Sequence, residues 1–189
     1  MDIQEILKES NALLKGHFKL TSGRHSEYYV EKIKVIHYPD KVEILCKQIA
    51  EKLKDYPVDV VVGPAYGGIA LAYEVAKQLG KKFIFTQRKD DKMSIRSGFD
   101  IKAGENAVVI EDIITTGGSV KEVIEVLEDY GLNVQAVACI VDRSAGKASF
   151  KCPLIPLTEI SFDTWEEQDC PLCKQNIPLV KPGASDKKI

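Results

Sequence analysis

A chain of 189 residues favours one domain, and folding at this length buries roughly 70% of the exposable surface, enough for a core without disulfide staples. With 44% apolar and 29% charged residues it reads as an ordinary folded protein, and no run reaches the ~18 apolar residues of a spanning helix. The 26 basic and 28 acidic residues sum to -2, which excludes a basic nucleic-acid coat as the overall design but not strong local fields.

The opening MDIQEILKESNALLK has early acids, no apolar signal core and no small-residue cleavage site. It is expected to be mature cytoplasmic sequence that starts directly in a helix. Ile3, Ile6, Leu7 and Leu14 extend that helix over the first fifteen residues. Tyr28 to Ile36 alternates imperfectly and predicts a strand. Val42, Leu45, Cys46, Ile49 and Leu53 share a helical face over 40–54, with Pro57 as a stop. Val58 to Val62, ending at Gly63, predicts a buried strand, and a helix follows over 67–79, closed by Gly80. Strands at 82–86 and 107–110, a helix from Val120 to Gly131 and a strand at 134–141 complete the series. This alternation predicts an α/β fold, a parallel twisted sheet flanked by helices. Residues 87–106 are mostly polar with little to bury, and are expected to form a long functional or mobile loop. After Val141 the alternation stops, and the proline-rich tail is expected to wrap the sheet or extend an interface. The expected single domain divides at about 1–36, 37–150 and 151–189.

The most informative stretch is Ala107 to Ser119, where an apolar strand delivers Glu111 and Asp112 and then Ile113-Ile114-Thr115-Thr116-Gly117-Gly118-Ser119. Open α/β sheets bind ligands beyond the carboxyl ends of their strands. Glycines let backbone N–H groups approach an anion, hydroxyls add donors, and the helix N-terminus adds positive potential. Ser119 with Glu122 also forms a capping-box pattern. Neither a Walker A lysine nor a G-x-G-x-x-G is present. Adjacent acids repel a triphosphate but suit the vicinal hydroxyls of a ribose, whose monophosphate the loop can hold.

E-D-I-I-T-T-G-G-S resembles the phosphoribosyl-diphosphate (PRPP) signature of the type I phosphoribosyltransferases. The resemblance implies that family's fold with a small N-terminal hood. It implies that Glu111 and Asp112 hold the ribose hydroxyls, that Asp112 helps stabilise charge on the ribose, that the loop from Thr115 to Ser119 cradles the 5-phosphate, and that Ile113 and Ile114 also contact PRPP. His17-Phe-Lys-Leu-Thr-Ser-Gly-Arg-His-Ser-Glu-Tyr-Tyr29, Gly63-Pro-Ala65-Tyr66-Gly67-Gly-Ile69 and Asp142-Arg143 resemble, in order and spacing, segments of the orotate branch. That implies diphosphate contacts from Ala65 and Tyr66, and orotate contacts from Thr115, Arg143 and Tyr29. A guanidinium independently suits the carboxylate of orotate, through bidentate charge-assisted bonds. Thr21 and Gly67 stand where some members carry lysines, so their charge must be supplied elsewhere.

From Lys81 to Lys102 seven basic and three acidic residues give a local +4. Arg88-Lys89-Asp90-Asp91-Lys92 resembles the family's mobile catalytic loop, which implies that Arg88, Lys89 and Lys92 neutralise the leaving diphosphate with Mg2+ carried by PRPP near Glu111 and Asp112. Ser94 replaces a histidine common in that loop, with Arg96 a candidate substitute. The family also implies a homodimer sharing loop 88–96, with no nucleic-acid or membrane partner. A purine-base phosphoribosyltransferase and a PRPP-binding regulator are the other readings.

Five cysteines, an odd number with two in apolar patterns, argue against a disulfide framework. Cys170-Pro-Leu-Cys173 follows a stretch, Glu159 to Asp169, with five acids and no base. One C-x-x-C supplies half a tetrahedral zinc site, which a second subunit, or Cys152 with another ligand, could complete. Structural thiols and a redox pair remain alternatives.

Overall fold

The computed structural model describes residues 3–20 and 22–182. Helix α1 (Ile3–Glu9) is shorter than its periodicity predicts. Ser10 Oγ donates to the Ile6 carbonyl at 2.6 Å and Asn11 takes a φ of 50°, which ends the helix. Leu14 therefore lies in β1 (Leu13–Lys19), opposite Tyr29 of the antiparallel β2 (His25–Val30). The strand expected over 28–36 starts earlier and stops at Val30. The Glu31 N–H closes the hairpin on the Ala12 carbonyl at 2.7 Å, and a helical turn, α2 (Ile33–Ile36), then buries Val35.

Helix α3 (Pro39–Leu53) begins on proline and buries Val42, Leu45, Cys46, Ile49 and Leu53, the face its spacing predicts. Strand β3 (Val60–Pro64) and helix α4 (Gly67–Leu79) follow, with Gly80 closing the helix at φ 64°. The stretch 87–106 is more ordered than its polarity predicts. β4 (Lys82–Lys89) runs past Thr86 and turns through Asp90 and Asp91, both at positive φ, into the antiparallel β5 (Lys92–Ile95). Two residues in left-handed conformation match the right-handed twist of a hairpin. Met93, Ile95, Phe99 and Ile101 anchor this segment against the core, so it has more to bury than its composition suggests.

Strand β6 (Asn106–Ile114), helix α5 (Gly118–Asp129) and strand β7 (Asn133–Asp142) continue the alternation. The expected Ser119–Glu122 capping box does not form. Gly117, at φ 75°, is the N-cap, and Glu122 turns away to pair with Arg88. The α/β rhythm also outlasts Val141, because β8 (Leu154–Glu159) adds a parallel strand beside β7. The main sheet runs β5-β4-β3-β6-β7-β8, parallel except at β5. A second sheet joins β1 and β2 to β9 (Thr164–Trp165), so the N-terminal hairpin takes its third strand from the tail.

Two cores sandwich the main sheet. Val61, Val108 and Ile110 face α3 and α4, while Val60, Val62, Ala107 and Val109 face α5. Burial on both faces explains why these strands are continuous apolar runs, each fully buried aliphatic side chain contributing about 1.5–3 kcal/mol. No helix among the described residues is long and apolar enough to cross a membrane.

Candidate active site at the carboxyl edge of the sheet

The acid pair stands where β6 leaves the core. Asp112 is 2% exposed and Glu111 half-buried. The Asp112 and Ile113 N–H groups donate to Glu111 Oε1 at 2.9 Å and Asp112 Oδ1 at 2.6 Å, which fixes both carboxylates locally. Lys32 Nζ donates to Asp112 Oδ1 at 3.3 Å and lies 3.1 Å from Oδ2, though not aligned for a hydrogen bond to it. Burial pulls the Lys32 ammonium down, but Asp112, Glu111 and Tyr29 outweigh it and leave its pKa raised.

Burial and the charge of Asp112 push the Glu111 carboxyl up to about 8 from an ordinary 4.5. The folded empty protein then keeps a proton that the unfolded chain releases between those values, so stability falls as pH rises through that window. Glu111→Gln is expected to flatten this slope and to raise the thermal midpoint at pH 8, as a pH series of melting curves on both proteins will show. Parallel slopes would contradict it.

Two clefts meet at Lys32. The larger, about 530 Å³, is lined by Tyr29, Ile113, Thr115, Thr116 and Arg143 together with Lys19, Lys147 and Phe162. The smaller, about 260 Å³, is lined by Ala65, Tyr66, Gly67, Arg88, Glu111 and Ser119. Most of the residues singled out in the sequence are thus gathered along one edge of the sheet. Gly118 is exposed at the first turn of α5, and a side chain at Gly117 would meet the Phe150 ring at 2.9 Å. Ile114 instead points into the α5-side core and offers the site only backbone, its carbonyl accepting from Arg143 N–H at 2.7 Å.

Arg143 lies 5.1 Å over the Phe162 ring, and Phe162 stacks on Tyr28 at 5.2 Å. Burial holds the Arg143 pKa below its ordinary value. Among the described residues no carboxylate comes within salt-bridge distance of its guanidinium. Tyr29 packs against Phe18 at 5.7 Å, and its hydroxyl pKa is raised by burial and then by Glu31.

The basic hairpin is less engaged. Arg88 donates to Glu122 Oε1 at 2.7 Å and to the Asp91 carbonyl at 3.1 Å. Lys89 and Lys92 are exposed, oppose one another across the strands, and line neither cleft. Ser94 Oγ donates to the Gln87 carbonyl at 3.2 Å within the hairpin, and Arg96, like Lys89 and Lys92, is exposed and lines neither cleft. Arg24, part of the quoted N-terminal pattern, binds Thr164 and Glu166 and so fastens β9 to β2.

Thr21 lies outside the described residues. At Gly67 the reason for the departure is steric, since a Cβ there would come within 1.8 Å of Asp112 Oδ2. Lys19, Lys32 and Lys147 supply positive charge around the larger cleft. Lys32 was missed from sequence because it sits at the centre of a segment read as strand. Its one signal was a charge between Val30 and Ile33.

The phosphoribosyl transferase domain family model matches residues 34–168. A protein from Caldicellulosiruptor bescii named orotate phosphoribosyltransferase is 48% identical over 183 residues, 97% of this chain and 96% of that protein. One of the same name from Thermotoga maritima is 46% identical over 186 residues, 98% of this chain and 100% of that protein. The crystal structure of orotate phosphoribosyltransferase from Aeropyrum pernix superposes with a TM-score of 0.73 at 24% identity, covering 84% of this chain and 93% of that one, a likeness of fold. Together with a site built on the acid pair and its glycine loop, these similarities place the chain in the orotate phosphoribosyltransferase family, within the phosphoribosyl transferases.

Proposed function

We propose that the chain transfers the ribosyl phosphate of PRPP to N1 of orotate, giving orotidine 5'-monophosphate and diphosphate for pyrimidine (UMP) synthesis. The observation that carries this reading is Arg143, a half-buried guanidinium without a carboxylate partner among the described residues, on the wall of the cleft that also holds Thr115 and Thr116. A free guanidinium there selects a base that brings its own carboxylate. The 5-phosphate docks on Thr115–Ser119 at the start of α5, and Glu111 and Asp112 accept from the ribose hydroxyls. As the bond to diphosphate breaks, positive charge grows on the ribose, and Asp112 in its buried setting opposes it.

Mg2+ carried by PRPP fits this edge. Asp112 Oδ2 is buried without an aligned donor, and the neighbouring Glu111 carboxyl lines the smaller cleft beside it. Bound with the substrate, the ion would help neutralise the diphosphate. Arg88, Lys89 and Lys92 do the rest by closing the hairpin over it, for which Arg88 must leave Glu122. Like charges directly opposite on neighbouring strands repel, so an anion between Lys89 and Lys92 relieves the empty state. The chain then works as a single domain in a homodimer that shares loop 88–96, in the cytoplasm, where its five free cysteines stay reduced.

Protein mixed with orotate, PRPP and Mg2+ is expected to consume orotate absorbance. Consumption of a purine base instead, or PRPP binding without turnover of any base, would overturn the assignment. Arg143→Ala is expected to raise the KM for orotate by about 30-fold, since a hydrogen bond to a charged group is worth about 1.5–3 kcal/mol, with the KM for PRPP little changed. Arg143→Lys should recover only part of it, lacking the planar fork.

A further inference from the structure

We propose that His17, His25, Cys170 and Cys173 form a tetrahedral zinc site that pins the C-terminal segment to the β1–β2 hairpin. Their ligand atoms all lie within 4.8 Å of one another. His17 Nε2 is 3.0 Å from His25 Nδ1, 3.5 Å from Cys170 Sγ and 3.7 Å from Cys173 Sγ, and Cys173 Sγ is 3.3 Å from His25 Nδ1. Zinc with Zn–N near 2.05 Å and Zn–S near 2.3 Å sets nitrogens about 3.3 Å apart and nitrogen about 3.6 Å from sulfur at tetrahedral angles. The four observed spacings match those separations to within about 0.4 Å.

The hairpin aims the two imidazoles. Lys19 pairs with His25, and a register shift between Lys15 and Phe18 brings His17 alongside His25, Nε2 against Nδ1. The cysteines arrive from the far end of the chain, at the N-cap and within the first turn of α6 (Pro171–Lys174). His17, His25 and Cys170 are at most 2% exposed. Cys152 takes no part; it packs against the α5-side core.

Hydrogen bonds alone serve this cluster poorly. His17 Nδ1 must donate to the Ile177 carbonyl at 2.8 Å, which leaves Nε2 with a single lone pair. That lone pair faces three polar atoms at once. A central cation would engage the facing atom of all four side chains, and the Ile177 bond is the kind of outer contact that orients a metal-bound imidazole, whereas the buried His25 Nε2 has no such partner among the described residues.

Four protein ligands leave no open position, so the site is structural rather than catalytic. Its effect reaches the substrate cleft. The same tail supplies Phe162, Thr164 and Pro182 to that cleft, and it returns along β1 where Val180 N–H donates to the His17 carbonyl at 2.8 Å.

Elemental analysis of the purified protein, or of metal-free protein reconstituted with one equivalent of Zn2+, is expected to give one zinc per chain. Cobalt exchange should produce tetrahedral d–d absorption with a thiolate charge-transfer band. Zinc-loaded protein should melt higher than metal-free protein and shield two more thiols from a thiol reagent. Cys173→Ser and His25→Ala should lose the metal, whereas Cys152→Ser keeps it. No zinc by either route, half a zinc per chain, or zinc retained by both ligand variants would each overturn the proposal. Should a ligand variant fail to fold, the cobalt spectrum of the unaltered chain still decides, because a spectrum without thiolate charge transfer rejects the site.

Discussion

Replacing Gly67 with alanine is expected to lower turnover about a hundredfold, the scale of losing one preorganised contact at a reacting centre. The new Cβ would stand 1.8 Å from Asp112 Oδ2 and 2.9 Å from its Cγ. Either the carboxylate rotates away or the first turn of α4 shifts. Asp112 is too deeply buried to swing into solvent, and rotation would break its contact with Lys32. Overpacking of this kind costs about 1–3 kcal/mol of stability, so the protein should still fold. The measurement is turnover beside a melting curve, and a folded variant within fivefold of the parent rate would contradict this account. A lysine at 67 should do no better, since its Cβ meets the same oxygen. The charge that some relatives place there is compatible with a different local backbone, not with this one.

Lys92→Ala is expected to slow the forward reaction on the order of a hundredfold for a different reason. Lys92 is exposed, packs on nothing in either core, and faces Lys89 across the hairpin. Its removal relieves a like-charge pair, so the melting temperature should hold or rise slightly. A rate loss without a stability loss marks a group that acts only when the hairpin closes over the diphosphate and excludes water. A rate within twofold of the parent would sink that role. Lys151→Ala, which disturbs only a surface pair with Glu128, is the matching control and should leave the rate unchanged.

Much of the fold was legible because its signals are local. The span of α4, the face of α3 and the buried runs of β3, β6 and β7 follow from periodicity within single segments. The errors arose where a remote partner overrode the local pattern. Leu14 continues a helical stripe on paper, but pairing with β2 takes it into a strand. Polar residues 87–106 look unanchored until Met93, Ile95, Phe99 and Ile101 find the α5-side core. The Ser119–Glu122 cap is sound locally, yet Glu122 is drawn to Arg88 on a neighbouring element.

The candidate site divides along the same line. The acid pair and its glycine loop are contiguous, so the order of residues alone pointed to a ribose phosphate. The net charge of -2 likewise hid a +4 segment that only a window along the chain revealed. What the sequence could not decide is which distant groups share one small space. Lys32 meets Asp112 from 80 residues away, and the C-x-x-C lies against two histidines from the opposite end of the chain, while Cys152 packs elsewhere. Chain order carries no information on such pairs until the hairpin register and the return of the tail are set. Those depend on burial and backbone pairing summed over the whole molecule, which is why only the tertiary structure settled them.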